Sequence, residues 1–463
     1  LVVADVSDRD EPSVTATLAL SWAVDRVFAF GDFLVELASG WGGYGDPAGA
    51  VARILPADNP SEVLAAVPLG PLPLAGAALR DGRLYLAQAD TGAYGGWGPV
   101  PLAEEAKEPG EPAPPPIYPL QLSVYDLSRL PAFQATGRVE ADLQQPVYGN
   151  LRPLWPRPDL LVWSAEQTYW PYWRGPMINV AFDVMPWYGS PESRLLAFDV
   201  GDPTRPAFGS DYRLSGGDWW TVRGDLFAGG GLVYSSHSVQ LAADGGRIDP
   251  AAADPSMPVP EPVARIHVLD AIDYADPAEP TPWLPVRLPG SLVGIARRGS
   301  LLFTVSYGED PAAAGTWHPQ LDALAYDGIA AHRIDSLPLP ALWTGWINVY
   351  RGAVLFGTGE ATDQAPTLSS ATLADDAHLV VAAHTDVPSP VYELVSTVDL
   401  LAARAGGEIL VFAADALPRF DPLARESPPG CIGYTLSHAH GTAGTALWIP
   451  LGNYGAWPLV LPP

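Results

Sequence analysis

One short pattern returns along this chain and limits what it can fold into. Four or five strand-forming residues run into a polar turn holding Asp, Ser or Asn, usually closed by Pro. It reads "LVVADVSDRDEP" at 1–12, "VARILPADNP" at 51–60, "SVYDLSRLPA" at 123–132 and "LLAFDVGDPTRP" at 195–206. It returns as "IHVLDAIDYADPAEP" at 266–280, "ALAYDGIA" at 323–330 and "ILVFAADALP" at 409–418. Asp and Asn side chains bond the backbone just beyond them in such turns, and Pro fixes φ where the next segment starts. A second element alternates with the first. "RVFAFGDFLVELA", "LRDGRLYLAQAD", "RGDLFAGGGLVYSS", "IARRGSLLFTVSYG" and "VYRGAVLFGTGE" each read as strand, tight turn, strand, the signature of a hairpin.

A hairpin, an Asp–Pro strand and a fourth strand make a four-stranded antiparallel blade. Such a blade cannot bury both faces alone, so blades stack around an axis and close into a β-propeller. The 51 Pro and 46 Gly suit this reading, because they exclude long helices. The best helical candidate is a short one near Val398–Arg404. The first hairpin opens near Val24 and the sixth near Ile347, so five repeats take roughly 65 residues each. The remainder makes about two more, which predicts seven blades, with eight as the alternative because "LSSATLADDAHLVVAAHTD" reads as an extra hairpin. The opening strand, with no initiator Met, reads as half of a joint that C-terminal strands such as "ALWIPLGNYGAWPLVL" (446–461) complete, and as a processed N-terminus. The whole of 1–463 is read as one propeller domain.

The pattern V-x-D-V-S-D-x-x-x-P, alternating with a strand like "GRLYLAQ", resembles the LVIVD-repeat and related secreted bacterial β-propellers. The resemblance implies the fold and export, to the medium, the periplasm or the cell surface. It rests on structural residues and carries no catalytic residues to transfer. The repeats here are longer than that family's, and several lack the Asp or the Pro.

Charge narrows the partners. There are 52 Asp and Glu against 25 Lys and Arg, a formal net charge of −27. Such a chain repels phosphate backbones and anionic membrane surfaces, which speaks against nucleic-acid binding. No apolar run is long enough to span a membrane as a helix. The single cysteine, Cys431, excludes an intrachain disulfide, and its "PPGCIGY" context holds no activating base.

The extra length is gathered in insertions at 40–49, 91–120, 168–193, 239–262 and 309–320. Each lies between the second strand of a hairpin and the next Asp–Pro strand, and so on one face of a ring. Loops on a rigid scaffold are where binding residues collect. These carry Trp41, Tyr44, Tyr94 and Trp97 among glycines, then Tyr169, Trp170, Tyr172, Trp173, Trp187 and Tyr188. Aromatic loop residues supply large contact area at low entropy cost. They are the candidate binding residues for a glycan, peptide or protein; the other readings are that they cover the loops' own small cores or touch a neighbouring subunit of a larger assembly. The segment 101–116, acidic and Pro-rich, reads as an extended mobile loop.

Catalytic signals are thin. "SHAHG" puts His438 and His440 two apart on one side of a strand, a chelating spacing that His384 or His237 could complete from another blade. His267, His318, His332 and His378 have no such pattern. "DGGRID" (Asp244, Asp249) lacks the regular calcium loop, although the acidity admits calcium. No other cofactor is expected. "SSHS" (Ser235–Ser238) lacks an acid partner in sequence, and neighbouring Ser236 and His237 point to opposite faces of a strand. No G-x-S-x-G elbow or phosphate loop is present. The sequence reading is therefore a binding or accessory propeller, with a metal or cofactor enzyme as the alternative.

Overall fold

In the computed structural model the described residues are 2–5, 13–17, 24–39, 49–89, 117–147, 150–165, 194–214, 225–241, 264–309, 317–339, 347–357, 365–396, 399–417, 419, 421–428, 436–443, 446–452 and 455–461. They form an all-β propeller of eight blades. Blade 1 consists of Arg26–Phe30, Phe33–Ala38, Ala50–Pro56 and Ala65–Gly70, and blade 2 of Leu74–Arg80, Arg83–Ala89, Tyr118–Asp126 and Ala135–Leu143. Blade 3 is Leu151–Arg157, Leu160–Ala165, Arg194–Asp199 and Ala207–Arg213. Blade 4 is Phe227–Gly229, Leu232–Leu241 and Ala264–Asp273, with its fourth strand split into Thr281–Pro282 and Val286–Leu288. Blade 5 is Ser291–Ala296, Leu301–Glu309, Trp317–Tyr326 and Ala331–Pro338; blade 6 is Ile347–Tyr350, Ala353–Gly357, Thr367–Leu373 and Leu379–Asp386. Blade 7 is Val391–Ser396, Leu400–Ala405, Glu408–Ala413 and Pro422–Glu426. The strands of each blade pair antiparallel in chain order, and blade 1 gains a fifth strand, Ala439–His440, in parallel pairing with Arg26–Phe30. Thr442–Ala443, Ala446–Pro450 and Ala456–Val460 form the last sheet.

The recurrent motif does what its chemistry dictates. The third strands of blades 2, 3 and 4 end at Asp126, Asp199 and Asp273, whose Oδ1 atoms accept the N–H of Ser128, Gly201 and Ala275. In blade 5 the Asp327 carboxylate takes two backbone N–H groups, from Ile329 and Ala330. These bonds hold its pKa below the ordinary carboxylate range.

Closure is legible in the core. Eight apolar clusters occupy the described interior, and each is shared by two neighbouring blades. The last joins Val24, Val27, Leu34 and Leu55 of blade 1 to Ala443, Ala446 and Trp448 of the C-terminal sheet. The Val24 N–H also donates to the Gly452 carbonyl at 3.0 Å. Ala439 and His440 also pair in parallel with Val27 and Phe28, and the His440 ring stacks on Phe28 with centroids 4.4 Å apart. First strands crowd around the axis so closely that side chains do not fit everywhere. A Cβ at Gly294 would lie 2.0 Å from Val349 Cγ2, and one at Gly76 2.9 Å from Trp163 Cζ3.

One open count is decided and two expectations need correction. Of the seven or eight blades that the sequence allowed, the structure has eight. Third strands begin at Ala50, Tyr118, Arg194, Ala264, Trp317, Thr367 and Glu408, so the repeat shortens along the chain and an average taken from its first part undercounts. The missed third strand is Thr367–Leu373, inside the segment that read as an extra hairpin. The short helix near Val398–Arg404 is instead the strand Leu400–Ala405, buried on both faces. Its Ala- and Leu-rich run has helical propensity, but a turn at Gly406 (φ +63°) pairs it with Glu408–Ala413, and tertiary pairing overrides propensity. Finally, Val2–Asp5 pairs only with Ser13–Thr17 among the described residues. The seam is sealed elsewhere, by side-chain packing of blade 1 on the C-terminal sheet and by a mixed sheet in which Ala439–His440 pairs in parallel with Arg26–Phe30.

Candidate functional site

Strand order and direction repeat from blade to blade, so the second-to-third connections all leave the ring on one face. In blades 1 to 6 these connections are long: Ala38 to Ala50, Ala89 to Tyr118, Ala165 to Arg194, Leu241 to Ala264, Glu309 to Trp317 and Gly357 to Thr367. In blade 7 the connection is only Gly406 and Gly407. The ten aromatic candidates, Trp41, Tyr44, Tyr94, Trp97, Tyr169, Trp170, Tyr172, Trp173, Trp187 and Tyr188, lie outside the described residues, as do the segment 101–116, Asp244, Asp249 and Cys431.

Beneath that face the described strands carry a polar layer that sequence inspection did not find. In six blades the backbone N–H just past the third strand donates to a carbonyl in the hairpin turn; examples are Leu127 to Gly82, Tyr274 to Gly231 and Tyr326 to Ser300. Counting from that carbonyl aligns the second strands. The fourth and sixth positions face the preceding blade, as the apolar residues at the second position do. They are Leu86 and Gln88 in blade 2, Ser235 and His237 in blade 4, and Thr304 and Ser306 in blade 5. In blade 1 the fourth is Glu36. Across the ladder stand Arg53, Ser123, Asp270 and Asp322, opposite Glu36, Leu86, Ser235 and Thr304.

These groups answer one another within each blade. His237 Nδ1 lies 2.7 Å from Asp270 Oδ2, with side chains 11% and 9% exposed. Asp322 is fully buried and accepts from Ser306 Oγ at 2.8 Å and Ser336 Oγ at 2.5 Å, with Arg333 Nη1 3.8 Å away. Gln121 donates to Gln88 Oε1 and Ser123 Oγ, while Gln88 donates to the Leu72 carbonyl. Burial pushes the Glu36 carboxyl pKa up, and Arg53 at 3.5 Å pulls it part of the way back. Buried polar groups of this kind stay in place when their hydrogen bonds are met. At the junction of blades 4 and 5, Ser236 Oγ accepts the Leu292 N–H, and Ser291 Oγ sits 3.3 Å from His267 Nδ1.

The one acid–imidazole pair of this layer bears on the sequence reading. "SSHS" does have an acid partner, Asp270, contributed by the neighbouring strand. Its distance along the chain, across an insertion, left no local signal. No histidine trio is assembled among the described side chains, which do not include that of His438. His438 closes a short 3-10 turn and His440 belongs to the following strand, so they do not share a strand face. His384 lies on the outer strand of blade 6 and His237 on the second strand of blade 4. No group of three His, Cys, Asp or Glu side chains among the described residues is placed to hold a metal ion. No helix there is long and apolar enough to cross a membrane.

No protein-family model matches the chain, and no curated protein matches it either. Solved structures do. The computationally designed Ika8 protein is similar at 7% identity and TM-score 0.48, covering 96% of this chain and 98% of that one. Sqt1 from Chaetomium thermophilum is similar at 11% identity and TM-score 0.47, covering 95% and 96%. The β-propeller domain of the Trilobed protease from Pyrococcus furiosus, described as having an open velcro topology, is similar at 10% identity and TM-score 0.40, covering 89% and 96%. At these identities the likeness concerns fold alone. The class that the sheets and the closed ring define is the β-propeller, here with eight blades.

Proposed function

We propose that this propeller is an exported binding protein that captures a glycan, peptide or protein partner on its long-loop face, or serves there as an accessory subunit of an extracellular assembly. One observation carries the reading. Six successive blades lengthen the same connection on the same face, and the sequence sets ten Tyr and Trp residues into three of those connections. Aromatic rings clustered on a rigid frame suit stacking on sugars or anchoring a polypeptide. The acidity of the molecule favours a neutral or basic partner. Export follows from the likeness to the secreted LVIVD-type propellers, and fractionation of the producing cells tests it.

The experiment uses two probes: affinity electrophoresis through gels containing soluble plant and microbial polysaccharides, and panning of a displayed random-peptide library. Retardation or enrichment is expected for one of them, and a Trp170→Ala/Trp173→Ala variant with an unchanged melting temperature should lose it. Binding that survives this variant together with Trp41→Ala/Trp97→Ala refutes the reading. A second reading has one specific support: the His237–Asp270 pair is the arrangement that orients a general base. It predicts turnover of a substrate that His237→Ala abolishes while partner binding persists.

A further inference from the structure

The outer rim of the ring is a row of fourth strands, each with one open edge, and an open edge is a template for another strand unless it is guarded. Six of the first seven blades guard it. Blade 1 places Pro68 in its fourth strand, blade 2 Arg138, Glu140 and Asp142, and blade 3 Asp211 and Arg213. Blade 4 uses Pro282 and Arg287, blade 5 Arg333, Asp335 and Pro338, and blade 7 Pro422, Arg425 and Glu426. Blade 6 is different. Its fourth strand, Leu379–Asp386, reads "LVVAAHTD", with no Pro and no carboxylate or guanidinium before its last residue. It is also a long, well-exposed edge: Val380 is 43% and Val381 48% exposed. An extra residue does kink it at Ala382, but blades 1, 2, 3, 5 and 7 carry the same irregularity between their third and fourth strands. The bulge therefore does not substitute for the missing charges.

We infer that this edge pairs with the same edge of a second copy, antiparallel about a twofold axis at Ala382. One observation selects a second copy as the occupant: centring the register on Ala382 sets Asp386 of each copy against His378 of the other, a carboxylate–imidazole pair made twice. His378 is 69% exposed on its side chain, where it also meets Asp335 at 3.4 Å. Strand pairing at one edge is at the small end of protein interfaces, so the dimer forms at micromolar concentrations and tightens with salt as residual repulsion is screened. The pairing uses the rim and leaves the long-loop face free, so it stands apart from the binding reading above.

Sedimentation velocity of the purified chain from about 5 to 200 μM tests this across the range expected of weak interfaces. A concentration-dependent monomer–dimer equilibrium is expected, with dissociation raised at least tenfold in Val381→Lys and Val380→Lys, whose exposed positions leave folding intact. An independent readout uses cysteines in a Cys431→Ser background. Ala382→Cys sits on the axis and should form a disulfide-linked dimer under mild oxidation at least ten times faster than Leu284→Cys, an 81% exposed control on blade 4. A strictly monomeric wild-type chain at 200 μM overturns the inference. So does a dimer indifferent to both lysine variants, or equal cross-linking at the two cysteine positions.

Discussion

Removing the Trp448 indole should open the ring at its seam. Trp448 lies on the second strand of the last sheet, 4% exposed, and packs with Val24, Val27, Ala29, Leu34 and Leu55 of blade 1. A buried Trp covers about 150–250 Å², which at about 25 cal/mol per Å² amounts to about 4–6 kcal/mol. Measured Trp→Ala costs of about 3–5 kcal/mol agree, once partial collapse of the cavity is allowed for. Trp448→Ala should therefore lower unfolding stability by about 3–5 kcal/mol in urea, a large part of the roughly 5–15 kcal/mol a folded protein holds. Trp448→Phe should cost less than about 1.5 kcal/mol, because the Trp448 Nε1–H has no hydrogen-bond partner among the described residues to lose. Trp163→Ala, between blades 2 and 3, serves as an interior reference with full burial. The two sites share no cluster, so the double variant should lose the sum of the two costs. If Trp448→Ala costs under about 1 kcal/mol while Trp163→Ala costs the full amount, blade 1 is not sealed against the last sheet and the closure argument fails.

Other predictions follow from single contacts. Gly294→Ala should destabilise by about 1–3 kcal/mol through overpacking on Val349, and Gly294→Ala/Val349→Ala should recover part of that in thermal melts; no recovery would show that the strain lies in the backbone. The raised Glu36 pKa means that the folded carboxyl holds its proton to higher pH than the unfolded one, so stability falls as pH rises from about 4.5 upward. The melting-temperature advantage of Glu36→Gln over wild type should accordingly grow from pH 4.5 towards neutrality, and a pH-independent difference contradicts this. Truncation after Trp448 removes Ile449, Leu451 and Leu459 from the cluster shared with blade 7 and should abolish cooperative unfolding; a truncated chain that melts like its parent refutes the role of the last sheet. Elemental analysis of the purified protein is expected to return no stoichiometric copper, zinc or iron. One equivalent of any of these would favour the enzyme reading over the binding one.

The sequence by itself determined the blade. Asp turns bond within two or three residues of themselves, hairpins close over a two-residue turn, and both leave marks in any short window; hence Asp126, Asp199, Asp273 and Asp327 fall where the repeat placed them. Tertiary structure decided the rest. The number of blades depends on where the ring closes, and closure is a contact between Val24–Leu55 and Ala443–Trp448 that no local window contains. The strand at Leu400–Ala405 was read as a helix because Ala and Leu favour one in isolation and only burial on both faces makes it a strand. The polar layer escaped for a related reason. His237 and Asp270 meet across a ladder whose register an intervening insertion conceals, and Asp322 finds Ser306 and Ser336 on two different neighbouring strands. Turn chemistry acts within a few bonds and is written in order along the chain; packing and pairing act through space, and only the folded ring brings those residues together.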